Sequence, residues 1–211
     1  MKYLKMLGLA AVAAMALTAF LGASSASATV LCKTSLTTGC HAAGWAYPSG
    51  TTIDASVESG TKATLETLGG LIRDECSEST VKGSTTTTGS SSETIKGTVE
   101  TANLSFGGCT ATTDVLEGGE LEVHWIAGTD NGTLTAKKFQ VTVVIGGESC
   151  IYGTGTTGTD LGTVTGGSMA TIDVSATVTK QAGSGANCTS TSNWTAKYTV
   201  TSPEPLTISE S

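Results

Sequence analysis

Two-residue alternation of apolar and polar side chains recurs along most of this chain, and it limits the fold more than any other feature. Leu121, Val123 and Trp125 alternate with Glu122 and His124, and Phe139, Val141, Val143 and Ile145 alternate with Gln140, Thr142 and Val144. Ala170 to Val178 repeats the pattern, as do Trp194, Ala196, Tyr198 and Val200 against Thr195, Lys197 and Thr199. A period of two places every second side chain on one face of a strand, so each segment is expected to bury one face only. Weaker strands are expected at Ile53–Val57, Ala63–Leu65, Ile95–Val99 and Leu206–Ile208. Turn clusters punctuate them at Gly118-Gly119, Asp130-Asn131-Gly132, Gly146-Gly147, Gly166-Gly167 and Gly183-Ser184-Gly185. The best helical candidate, Thr61 to Arg73, is thinned by threonines and interrupted by Gly69-Gly70.

About eight to eleven half-buried strands must cover their apolar faces with one another, across two sheets or around a ring. The expected fold is therefore all-β, a Greek-key-like β-sandwich, with a β-barrel as the alternative. The Thr/Ser stretch Gly83–Ser92 reads as an exposed strand and loop or a flexible excursion, and Gly153–Gly167 reads the same way.

The start of the chain sets the compartment. Lys2 and Lys5, the apolar run Met6–Leu21 and Ala26-Ser27-Ala28 form a secretory signal with a small-residue cleavage site, so residues 1–28 are read as removed. The apolar run is shorter than the roughly 20 residues a spanning helix needs, so no transmembrane anchor is expected after cleavage. Leu31 before Cys32 is too bulky for lipoprotein processing. Thr29 to Ser211 is expected to form one disulfide-stabilised domain, secreted or associated with the cell surface.

Six cysteines in an exported chain favour full pairing over metal binding or catalysis. Connectivity does not follow from sequence, and sequential pairing is the simplest guess: Cys32 with Cys40, Cys76 with Cys109, Cys150 with Cys188. No pair has the C-x-x-C spacing of a zinc or redox motif. The formal net charge is −7, and two of the 11 basic residues lie in the signal, so the exported part is more acidic still. Such a surface repels phosphate, and nucleic-acid partners are not expected.

Thr29-Val30-Leu31-Cys32, Leu121-Glu122-Val123-His124-Trp125 and Trp194 to Pro203, taken with the signal, resemble a group of exported proteins from actinobacterial lineages with no assigned activity. The resemblance spans most of the chain and implies an all-β fold, but no catalytic or binding residues. More loosely, the Thr/Ser/Gly-rich texture looks like secreted β-sandwich proteins of bacterial biofilm matrices.

Candidate sites are few. Gly153-Thr154-Gly155-Thr156-Thr157-Gly158 matches the dinucleotide pattern G-x-G-x-x-G, yet no amphipathic helix follows to hold a pyrophosphate. The two histidines, His41 and His124, lack a nucleophile signature. Carboxylates gather at Asp74, Glu75 and Glu78 and at Asp114, Glu117, Glu120 and Glu122, without the aromatics of a sugar-cleaving cleft. Asp130-Asn131-Gly132 or the cluster at 114–122 offers oxygens to calcium, but not at calcium-loop spacing. Asn103, Asn131, Asn187 and Asn193 open glycosylation-type sequons.

Trp45 and Tyr47 stand in a loop ahead of Pro48, where aromatics can stack on a sugar or cover the core; they are the candidate ligand-binding residues. No catalytic residue, metal or cofactor is assigned. The expected function is non-enzymatic: a structural role at the cell surface or in an extracellular matrix, with carbohydrate or envelope-ligand binding as the alternative. The partners expected are a second copy of the chain or envelope components. Open strand edges would suit self-association, against which Lys137-Lys138 could guard.

Overall fold

The computed structural model describes residues 28–34, 40, 44–67 and 73–211. The signal expected at residues 1–28 lies outside them except for Ala28, and so does His41. Strands occupy the chain in the order β1 (Thr29–Cys32), β2 (Thr52–Val57), β3 (Ala63–Thr67), β4 (Arg73–Thr85), β5 (Ile95–Cys109), β6 (Thr112–Glu117) and β7 (Gly119–Trp125). There follow β8 (Gly132–Lys137), β9 (Gln140–Ile145), β10 (Glu148–Gly153), β11 (Thr159–Thr165), β12 (Thr171–Lys180), β13 (Thr191–Ser202) and β14 (Thr207–Glu210). The all-β class is as the alternation requires. The helical candidate at Thr61–Arg73 is strand over Ala63–Thr67 and at Arg73, because its threonines and alternating Ala63 and Leu65 suit a pleated face.

Eight strands close on themselves. Antiparallel ladders run β2–β4–β5–β7–β8–β11–β12–β13 and back to β2, so the main sheet forms a ring at one end of the molecule. This is the barrel alternative of the sequence reading. Beyond the ring β4, β5, β12 and β13 run on; β3 fills the gap between β13 and β4, and β10, β9 and β6 extend from the end of β12. These two layers face each other across Leu65, Phe106, Val141, Val143, Tyr152 and Trp194. Both arrangements solve the same problem, a set of strands apolar on one side only.

The far end of the ring is plugged by β1 and β14. β1 pairs with β14, and Leu31, Leu206 and Ile208 enter the apolar filling beside Leu134, Val164 and Val200. Trp125 N donates to Thr29 Oγ1 at 2.9 Å, which ties the plug to β7. Among the described residues the interior holds voids of about 40, 50 and 90 Å³, apolar in lining. Ligand pockets usually measure roughly 300–1,000 Å³, so the interior is a packed core and not a carrier cavity. Outside, β12 presents Asp173, Ser175, Thr177 and Thr179 to solvent while Val174, Ala176 and Val178 are buried. Apolar inside and polar outside is the reverse of a membrane barrel. No helix among the described residues is long and apolar enough to cross a membrane.

Disulfides join Cys32 to Cys40, Cys76 to Cys109 and Cys150 to Cys188. The second crosses directly opposite positions of the β4–β5 ladder, and the third fastens β10 to the segment leading into β13.

One buried polar pair has a measurable signature. Tyr198 is 2% exposed, its hydroxyl lies 2.9 Å from Ser79 Oγ, and burial pushes its pKa up to about 12 from 10.0. The raised value means that its stabilising contribution is complete below the unfolded pKa near 10 and is lost as pH rises toward 12. The expected loss by pH 12, where the folded-state hydroxyl is half ionised, is about 2 kcal/mol. Tyr198→Phe should flatten that alkaline slope at a cost of about 1 kcal/mol near neutrality, where Ser79 loses its partner. Denaturant unfolding at a series of alkaline pH values decides this; an unchanged slope in the variant would show that Tyr198 is not its source.

Candidate functional site

The aromatic candidates sit at the plugged end. The segment Trp45–Tyr47 lies along the outer edge of β1: Lys33 N donates to Trp45 O at 2.8 Å, and Tyr47 N donates to Leu31 O at 2.8 Å. This backbone pairing turns Ala46 inward against Val30, Cys32 and Cys40 and sends its two aromatic neighbours the other way. Tyr47 is fully engaged. Its ring packs on the barrel core, Lys33 Nζ stands 5.6 Å from the ring centroid, and its hydroxyl donates to Pro205 O at 2.7 Å. Desolvation pushes its pKa up. Trp45 is 43% exposed and remains open for contact. The two predicted residues are thus neighbours in different states: Tyr47 is committed to the fold, and Trp45 is available.

The acidic groups do not converge on one point. Glu75 is bound by Lys62 at 2.7 Å and Arg73 at 2.6 Å, and the Lys62 contact foremost holds its carboxyl below the usual range. Asp74 is buried and accepts from Thr110 Oγ1 at 3.0 Å, Ala111 N at 2.8 Å and Thr113 Oγ1 at 2.5 Å, so it holds the β5–β6 turn. Its carboxylate lies within 4.8 Å of the Cys76 and Cys109 sulfurs, but the disulfide has already consumed both thiols as metal ligands. Glu120 is paired with Lys138 at 2.5 Å; the contact lowers the pKa of the acid and raises that of the base. Glu122 accepts from the Thr94 hydroxyl and lies 3.6 Å from His124 Nε2. The carboxylate therefore stands between hydroxyl and imidazole, the wrong order for a nucleophile–base pair. Asn131 Oδ1 accepts from Gly166 N at 3.1 Å, a turn-closing bond. Gly153–Gly158 leads from β10 into β11, a strand, so it lacks the helix N-terminus that phosphate binding by this pattern uses.

A concavity that the sequence reading missed lies on the outer wall. β5 advances from Val99 to Leu104 while its partner β4 advances only from Gly83 to Val81, so Glu100–Asn103 bulges from the sheet. The root of the bulge is fixed: Gly118 N donates to Thr101 Oγ1 at 3.0 Å, and a Cβ on Gly118 would fall 2.1 Å from Val99 O. Ala102 and Asn103 then form one wall of a groove of about 330 Å³ over β2 and β4. The groove presents Asp54, Ser56, Thr80, Lys82, Asn103 and Ser105. A sequence signal for it exists. Val99 and Leu104 are both buried in one core yet stand an odd number of residues apart, which an unbroken strand cannot arrange.

The charged pair here is loosely closed, while the Thr80 and Ser105 hydroxyls bond each other at 2.7 Å. Lys82 Nζ lies 3.6 Å from Asp54 Oδ1, too far for a hydrogen bond, whereas Lys62–Glu75, Lys138–Glu120 and Lys197–Glu58 close to between 2.5 and 3.0 Å. A cross-strand row of hydroxyls leads into the groove: Thr165, Thr171, Thr199, Ser56, Thr80 and Ser105 are register partners on successive strands.

No protein-family model, curated protein or solved structure matches the chain.

Proposed function

We propose that this chain is a non-enzymatic, exported module of the cell surface or extracellular matrix that works through its outer surface, binding a carbohydrate or another envelope ligand. The observation that carries the reading is the closed, filled ring: function by interior carriage has little volume to use, while the outer wall holds the groove and the plugged end exposes Trp45. Three disulfides suit an oxidising, extracytoplasmic setting. A place among the exported all-β proteins of actinobacterial lineages is part of the same proposal.

The purely structural reading, in which copies join edge to edge, has less support. Strand addition needs a row of unpaired backbone groups. Here the ring has no edge, the outer side of β10 is covered by bonds from Gln181 N and Gly185 N, and the outer side of β1 is covered by Trp45–Tyr47, which leaves the short β6, laddered to β9 alone, as the edge of the main sheet. The exported chain is therefore expected to run as a monomer in size-exclusion chromatography with light scattering, oxidised and concentrated. Concentration-dependent growth would return the weight to the structural reading. Glycan-array screening of the same sample is expected to give hits among neutral cell-wall-type polysaccharides, and a blank array would count against ligand binding.

A further inference from the structure

We propose that the groove beneath the β5 bulge is a saccharide site, and that its ligand is a neutral, polyhydroxylated chain laid across β2, β4 and β5. This rests on the ligand-binding reading above and names both the place and the ligand class. Four observations point the same way. The bulge is held at its root by Thr101 and Gly118, so the wall is built and not a loose loop; bulges of this kind commonly re-aim side chains beside functional sites. The volume, about 330 Å³, lies within the range of small-ligand sites and is far larger than any void inside the core.

The chemistry of the lining selects the ligand. Asp54 and Lys82 are cross-strand neighbours on β2 and β4, and the 3.6 Å between their charged atoms is a gap that a hydroxyl can close by donating to the carboxylate and accepting from the ammonium. A vicinal diol meets both groups at once. The Asn103 side chain has no hydrogen-bond partner in the described chain; its amide both donates and accepts, and it stands half-buried on the wall. Below it Ser56, Thr80 and Ser105 are register partners on successive strands, and the Thr80 and Ser105 hydroxyls bond each other at 2.7 Å, which leaves their remaining lone pairs to the groove. One acid against one base leaves the groove with no net charge, so it favours a neutral ligand over a phosphate or uronate. With no aromatic side chain in the lining, little apolar area is buried, and affinity should be weak, in the millimolar range typical of sites that rely on hydrogen bonds in competition with water.

The test is an amide-resolved NMR titration of the exported chain with cellopentaose, mannopentaose and maltopentaose, and with an oligogalacturonate as the charged comparison. The expected result is saturable shifts at Ser56, Lys82, Ala102, Asn103 and Ser105 with at least one neutral sugar and none with the uronate. Lys82→Met and Asn103→Leu are each expected to weaken binding about tenfold or more. Both residues lie at the surface, so an unchanged spectrum elsewhere will show that these variants fold. Shifts centred on Trp45 and abolished by Trp45→Ala would overturn the groove but leave carbohydrate binding standing. No shift with any neutral sugar would overturn both, and preference for the uronate would overturn the neutral class.

Discussion

Replacing Cys150 and Cys188 together by alanine will lower stability by about 4 kcal/mol and the melting temperature by roughly 8–16 °C, the larger loss among the three disulfides. Two features set that rank. The bridge spans 38 residues, against 8 for Cys32–Cys40, and restriction of the unfolded chain grows with the logarithm of the loop, so the short bridge is worth about 2.5 kcal/mol. The second feature is local. β10 joins the main sheet through only two register pairs with β12, Tyr152↔Lys180 and Gly153↔Thr179, while β4 and β5 share a long ladder around Cys76–Cys109. Without its bridge, β10 keeps β9, two residues of β12 and the bonds from Gln181, Ser184 and Gly185. Cys150 and Cys188 also form a small apolar cluster with Tyr152 and Val178, so truncating both sulfurs opens a cavity beside Trp194. Hydrogen exchange should report the loss first in β9 and β10. Differential scanning calorimetry of the three double variants checks the order, and an equal shift for Cys32→Ala/Cys40→Ala would refute the loop-length argument.

How much of this was open to reading from the residues depends on the distance over which each choice is made. Strand existence is a short-range matter: Leu121, Val123 and Trp125 in β7, or Val174, Ala176 and Val178 in β12, declare themselves through their neighbours. Ring closure is not. β2 inserts between β13 and β4, pairing Val57 with Tyr198 and Ala55 with both Val200 and Val81. Nothing in the alternation of Ile53, Ala55 and Val57 says which strands will flank it, because the period fixes a face and not a partner. Gly153–Gly167 shows a second kind of concealment. It looks like a flexible Gly-Thr tract, yet β11 lies within it between β8 and β12, and it buries Leu161 and Val164. Those two apolar residues are also an odd number apart, so their shared burial hides behind a bulge in the same way as Val99 and Leu104. Of the candidate site, Trp45 was legible as a loop aromatic, whereas the groove left only the odd spacing of Val99 and Leu104 as a trace, since Asp54, Lys82 and Asn103 meet only once β2, β4 and β5 have paired.

The β11 bulge carries the other large expected effect. Asp160 pairs with Thr135 and Gly162 with Leu134, so Leu161 is the extra residue, and its side chain is driven into the core at 3% exposure. The backbone recovers its register through Gly162, whose φ of +141° lies in a region closed to most side chains. A Cβ there would stand 2.0 Å from Asp173 O, on the backbone of the neighbouring β12, where no flexible side chain can move aside. Gly162→Ala must therefore part β11 from β12 or undo the bulge and withdraw Leu161. Either route costs about 4 kcal/mol or more, the range reached only by changes that break a core or a backbone position under constraint. Gly128→Ala separates strain from collision. Gly128 also has a positive φ, +77°, but nothing lies within 4 Å of its would-be Cβ, so about 1–2 kcal/mol is expected for conformation alone. Chemical denaturation of the two variants should differ by a factor of two or more in lost free energy. Equal losses would mean that β12 yields freely at Asp173, and that the ring is softer at this joint than its register implies.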